Sequence, residues 1–198
     1  DAKVFRWDPF GREAAREGAK AAIGEAVEPV VDLGKADVAL LLDADPLGLE
    51  GSTVKHSRGW ASRRKVESGS VSRVYAAESS PSVTGFAADH RLRLQSRRIA
   101  DLAKAVAGAL GVDVGGAGEL DPKAKAFAAA VAADLKRAGQ KGLVVVGRKQ
   151  PAGVHALACA INDRLGAVGT TVRYVPVFED LPSGPAGLAA LKAGGFDT

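Results

Sequence analysis

The sequence predicts a three-layer α/β domain, a mainly parallel sheet with helices on both faces. Three observations predict it. Apolar, β-branched runs alternate with helical patterns of roughly ten to fifteen residues, the rhythm of βαβ units. The runs are nearly continuous in apolarity, as strands covered on both faces require. Packing falls to Ala, Val, Leu and Gly: 46% of the 198 residues are hydrophobic and only 5% aromatic. Such small residues suit helices lying close on a sheet better than a sandwich or barrel. The length fits one domain, or one and a half small ones.

Taken in order, Arg12 to Ile23 is a candidate helix, and Val30-Val31 a brief strand. Val38 to Leu42, Val74 to Ala77, Leu143 to Val146 and Val172 to Val175 read as buried strands, the middle two as central parallel ones. Ile99, Leu102, Ala103, Val106 and Leu110 repeat on one helix face, which stops at Gly111. Asp121-Pro122 caps and opens an alanine-rich helix over Lys123 to Arg137, closed by Gly139. Val154, Leu157, Ala158, Ile161 and Leu165 repeat the helical template up to Gly166. Asp113 to Leu120 reads as a surface linker. The expected division is a first βα half over 1–112, a linker over 113–122 and a second βα half over 123–198. From Glu179 the chain is rich in Pro and Gly, then weakly helical over Gly187 to Lys192.

Composition excludes several classes. With no methionine, residue 1 is not a translation start, and the chain reads as a processed product or an excised piece. No run reaches the eighteen or so apolar residues that span a bilayer, and none reads as a signal peptide. A soluble piece is expected. A single cysteine, Cys159, excludes an internal disulfide framework and a cysteine-ligated iron–sulfur cluster within these residues. The formal charge of +4 permits a nucleic-acid or membrane-surface partner without pointing to one.

Parallel sheets bind ligands at the carboxyl ends of their strands. Two such ends carry turn chemistry: Asp43-Ala44-Asp45-Pro46 and Glu78-Ser79-Ser80-Pro81-Ser82-Val83-Thr84. The second could donate hydrogen bonds to an anion. The first puts two carboxylates where a phosphate would lie, which is unfavourable without a metal between them. Capping of nearby backbone amides by these acids outweighs a Mg²⁺ site. Gly115-Gly116-Ala117-Gly118 follows a helix rather than a strand, so it lacks the context of a dinucleotide fingerprint. Ser62-Arg63-Arg64-Lys65 matches Ser-x-x-Lys by spacing alone. His155 and Cys159 share a helix face, but two ligands do not make a metal site, and a half-buried helix edge is the better reading. Asp89 and His90 read as loop anchors rather than catalysts. His56 to Lys65, with four fixed positive charges and Trp60, could stack on nucleic acid. Arg91, Arg93, Arg97 and Arg98 form a second basic cluster. A docking face for another subunit is the preferred reading of both.

The segment from Arg73 to Leu92 resembles the iron–sulfur (B) subunit of bacterial alternative complex III in its pattern ES(S/T)P(S/T)xTGxxADHRL. Ala36 to Asp45 resembles that family's ADVxxxLDAD, Trp60 to Arg64 its FASRR, and Gln150 to Gly169 its QPxxVHALAxxINxxLGxxG. The likeness spans roughly residues 5 to 198. It implies a molybdopterin-oxidoreductase-like domain that carries no cofactor. In the wider molybdopterin oxidoreductases, the matching loops are GANP-like and IDPR-like and grip a molybdopterin guanine dinucleotide. Here Asp43 and Asp45 replace a glycine and an amide, and the Glu78-Ser79-Ser80-Pro81 loop has no arginine. If a nucleotide were bound, Asp43, Asp45, Glu78, Ser79, Ser80 and Thr84 would face it. The resemblance further implies no catalytic residue and no metal site in this piece, with the iron–sulfur clusters in a C-terminal region beyond it. It implies a periplasmic position in a membrane complex, other subunits as partners, neither nucleic acid nor a direct membrane span, and a chain that stops short of its next strand. An active molybdopterin-binding oxidoreductase and a nucleic-acid-binding module are the alternatives.

Overall fold

The computed structural model describes residues 11–69, 71–116, 118–177 and 184–194. Along the chain these form α1 (Glu13–Ile23), β1 (Val27–Val31), β2 (Val38–Leu42), α2 (Thr53–Ser62), β3 (Arg73–Glu78), α3 (Val83–Ala87) and β4 (His90–Arg93). There follow α4 (Ile99–Ala109), α5 (Pro122–Ala138), β5 (Gly142–Val146), α6 (Ala152–Arg164), β6 (Val172–Pro176) and α7 (Gly184–Ala193).

Four strands make a parallel sheet in the order β4-β3-β2-β5, flanked by helices in a three-layer α/β arrangement. Leu40 lies opposite Tyr75 on one side and Val144 on the other. The chain runs outward from β2 through β3 to β4, then crosses to place β5 on the far side of β2. The direction of winding therefore reverses between β2 and β5. Both faces of β2 are covered: Leu40, Leu41 and Leu42 are wholly buried, each contributing about 1.5–3 kcal/mol through burial. Ile99, Leu102 and Val106 of α4, Val131 and Leu135 of α5, and Val154 and Ile161 of α6 join the same core.

Local chemistry sets the helices where the spacing predicts them. Asp121 Oδ1 accepts from the Ala124 amide at 2.8 Å, and Pro122 occupies the first turn of α5. On the buried side of α5, Asp134 accepts from the Tyr75 hydroxyl at 2.6 Å and from Arg73 at 2.7 Å. Phe127 meets the Tyr75 ring edge-on at 5.5 Å. This polar contact ties α5 to the entry of β3.

Three strand assignments differ from the sequence reading. The run at Val172 forms β6, which pairs antiparallel with β1 in a separate two-stranded ribbon, Val31 opposite Val172. Only Val172 of its residues is buried, with Tyr174 half-buried and the rest exposed, rather than the strand being covered on both faces. The run at Leu143 forms β5, an edge strand rather than a central one. It reads as central because side chains cover its outer edge. Asn162 Oδ1 accepts from the Val144 amide at 2.9 Å and its Nδ2 donates to the Val144 carbonyl at 3.0 Å. Thr171 donates to the Gly142 carbonyl at 2.7 Å. Third, β4 is a strand that the apolar pattern does not reveal, since Leu92 is its single fully buried residue.

Candidate functional site

In a parallel sheet wound this way, the crevice outside the carboxyl ends at the reversal point is where ligands bind. Here that place lies between the loop after β2 and the loop after β5. Asp43 follows β2 directly with φ +54, a left-handed conformation that Asp tolerates better than most side chains. Its amide donates to the Ala77 carbonyl at 2.8 Å. Its Oδ1 accepts from the Ser79 amide at 3.2 Å, and its Oδ2 from the Ser96 hydroxyl at 2.6 Å and Gln150 Nε2 at 2.8 Å. Gln150 is only 2% exposed. Opposite, Gly147 lies so close that a Cβ there would stand 1.8 Å from the Asp43 carbonyl oxygen.

The neighbouring acids are engaged in the same manner. Asp45 Oδ1 accepts from the Thr84 amide at 3.0 Å and the Thr84 hydroxyl at 2.6 Å. Thr84 Oγ1 in turn accepts from the Leu47 amide at 3.0 Å. Glu50 accepts from the Asp45 amide at 3.3 Å and the Arg148 amide at 3.1 Å. Glu78, 3% exposed, accepts from the Ser82 hydroxyl at 2.6 Å and from Arg91. A Cβ at Gly85 would stand 1.8 Å from Glu78 Oε1.

Asp43 and Ser79 are thus brought together, as are Asp45 and Thr84, and both acids do cap backbone amides. Glu78 instead points under α3, and Ser80 is exposed on its loop. Sequence reasoning does not reach Gln150, Ser96 or Glu50. The position of Gln150 just beyond a strand end is the one signal that could have found it. Charge decides what this crevice can take. The Ser79 amide and the Thr84 amide and hydroxyl already hold carboxylates, and a phosphate about 4 Å from either carboxylate meets repulsion of about 1–4 kcal/mol per charge pair. At this point of the crevice Asp43 and Asp45 do not fit a pyrophosphate.

Elsewhere, several residues lie differently from the sequence reading. His56 sits in α2 and is 7% exposed rather than on an open basic face; burial pushes its imidazole below the usual range. His155 is likewise 7% exposed, because α1 packs across α6 closely enough that a Cβ on Gly18 would stand 2.6 Å from His155 Cβ. Burial lowers its pKa, opposed by a backbone hydrogen bond at Gln150. Cys159 packs with Ala19 and Val27, and burial raises its thiol. Asp89 does anchor the chain before β4, accepting from the Val74 amide at 2.7 Å, while His90 stacks on Tyr75 at 4.7 Å.

Two arginines of the first basic cluster are engaged within the chain. Arg63 pairs with Asp37, and Arg64 grips Asp89 at 2.8 and 2.9 Å while lying over the Trp60 ring at 4.9 Å. The Ser62 hydroxyl donates within its own helix to the Gly59 carbonyl at 2.7 Å. Gly115 and Gly116 lie beyond α4 with φ of +62 and +103; Ala117, between them and Gly118, lies outside the described residues. Among the described residues no group of three His, Cys, Asp or Glu side chains could hold a metal, and no helix is long and apolar enough to cross a membrane.

Fold and crevice together define a parallel α/β domain whose ligand-binding end is laced by its own acids. No protein-family model matches the chain, and no curated protein matches it.

Proposed function

We propose that the chain is a cofactor-free structural and subunit-docking domain of an iron–sulfur electron-transfer subunit in a respiratory quinol-oxidising complex. It stands on the periplasmic side of the bacterial inner membrane. The resemblance to alternative complex III supplies the assembly; the crevice supports the cofactor-free part. One observation carries that part. Asp43 holds Ser79, Ser96 and Gln150 at the reversal point between β2 and β5, so an internal carboxylate sits where a bound phosphate would need those donors. An oxidoreductase gripping its cofactor through Glu78 to Thr84 would need the Thr84 amide and hydroxyl, which Asp45 takes.

In this reading the sheet is a rigid frame. Electrons from quinol pass through clusters in the C-terminal region of the same subunit to a cytochrome c or similar acceptor, and this domain contributes position rather than chemistry. Expression in a bacterium that makes molybdopterin guanine dinucleotide tests it. The purified protein is expected to contain neither molybdenum nor the fluorescent oxidised pterin. One pterin per chain would overturn the cofactor-free part. An antibody against the chain is expected to co-purify quinol:cytochrome c reductase activity from native membranes; its absence would overturn the docking part.

A further inference from the structure

We infer that the open cleft beside the end of β4 receives an acidic segment of a partner protein. After Arg93 the chain turns through Leu94 and Gln95 into a 3₁₀ turn, Ser96–Arg98, before α4. The cleft there measures about 560 Å³, and Arg93, Arg97, Arg98, Leu94, Leu120 and Asp121 line it. Three guanidiniums face one carboxylate, and that carboxylate already caps α5 through Oδ1.

Among the described residues, Arg93 and Arg97 lack the ion pairs that hold several other arginines of the domain. Arg63, Arg64, Arg73 and Arg91 are each paired with an acid of the same chain. Among the described residues the Arg97 side chain meets only the neutral Gln95 oxygen, at 2.9 Å through Nε. Arg98 meets Asp101 at 3.2 Å through Nε. The Arg93 side chain is exposed and makes no hydrogen bond or ion pair among the described residues. Each guanidinium carries five N–H donors in a fork matched to a carboxylate, so most of this donor capacity faces outward.

Size and lining favour a peptide. The cleft is several times larger than a single phosphate, it is open along one side, and buried Leu94 and Leu120 give it an apolar part. An extended segment alternating acidic and aliphatic side chains satisfies both features: carboxylates on the guanidiniums, aliphatic groups on the leucines. The inference rests on the docking role proposed above and names the chemistry of one partner surface.

The test uses the whole 198-residue chain and a fluorescein-labelled peptide of alternating Glu and Leu, read by anisotropy at low salt. Binding is expected to weaken about tenfold in Arg93→Gln with Arg97→Gln, to be unchanged in Arg58→Gln, and to be lost for the peptide with Gln in place of Glu. Circular dichroism checks that the variants fold. No binding of the Glu peptide, or equal weakening by Arg58→Gln, would overturn the assignment. So would displacement of the peptide by inorganic pyrophosphate or random duplex DNA at a lower concentration than that of unlabelled peptide, which would make the cleft a phosphate or nucleic-acid site. Pterin content is measured separately, so failure here leaves the cofactor-free reading standing or falling on its own.

Discussion

The side-chain amide of Gln150 reaches across the crevice between the ends of β5 and β2 and donates to Asp43 Oδ2 at 2.8 Å. The same nitrogen donates to the Ser96 hydroxyl at 2.8 Å, so the loops following β2, β4 and β5 meet at one polar point. A buried donor left without an acceptor costs more than an ordinary hydrogen bond contributes. The acid at position 43 is therefore part of what holds this end of the sheet together.

Asp43→Ala removes three acceptor contacts and places an alanine Cβ at φ +54. A loss of about 2–4 kcal/mol is expected. Asp43→Asn keeps one acceptor oxygen and tolerates the left-handed backbone, so about 1 kcal/mol is expected. Urea unfolding of both variants checks the ordering; equal, near-zero losses would show that the carboxylate does not tie the loops.

Two glycines make a contrasting pair. A methyl at Gly147 meets the Asp43 carbonyl at 1.8 Å, whereas one at Gly153 in α6 meets nothing within 4 Å. Gly147→Ala is expected to cost about 1–3 kcal/mol or more by forcing the β2 and β5 loops apart. Gly153→Ala is expected to stabilise by up to about 1 kcal/mol through helix propensity. Thermal melts separate the two, and similar behaviour would contradict the close approach at Gly147.

Asn162→Leu leaves the Val144 amide and carbonyl without partners at the outer edge of β5. The expected loss is on the order of 3 kcal/mol. An uncovered strand edge also invites pairing between molecules, so light scattering should rise together with the fall in the urea midpoint. A soluble, fully stable variant would show that the edge needs no cover.

Asp134 gives the fold an acid-sensitive joint. The Tyr75 hydroxyl holds its carboxyl below the usual range, burial opposes this, and Arg73 and Arg137 reinforce it. A carboxylate whose folded pKa is depressed contributes stability that is present above its unfolded value and lost as pH falls through the folded one. Urea midpoints should therefore fall as pH drops below the ordinary carboxylate range, and Asp134→Asn should flatten that limb while lowering stability at neutral pH. Tyr75 has its pKa raised, first by burial and then by Asp134. Its contribution is complete below the ordinary tyrosine value and is lost only as pH rises through the raised one. A limb as steep in Asp134→Asn as in the parent chain would contradict this account.

The parts legible in the sequence are those whose cause is local. Val38 to Leu42 is a central strand because both faces must be apolar, and Asp121-Pro122 opens α5 because capping needs no distant partner. His90–Arg93 escapes notice: at an edge, Leu92 alone needs full burial. α2 is hidden because His56 is its single fully buried residue and Trp60 is its one large apolar side chain packed against the core. The two-sided apolarity of β5 misleads, since Asn162 does the work of a neighbouring strand. In the crevice, acids where a phosphate would lie are visible from residue type and position. Their partners are not, because Ser96 and Gln150 stand 53 and 107 residues from Asp43 along the chain.

Titration calorimetry with guanosine diphosphate tests the central claim most directly, comparing the parent chain with Asp43→Asn, Asp45→Asn. The parent chain should give no binding heat up to about millimolar nucleotide, and the double variant, relieved of two like charges, should bind measurably better. Micromolar binding by the parent chain, undiminished with both acids in place, would mean that Asp43 and Asp45 do not close the crevice.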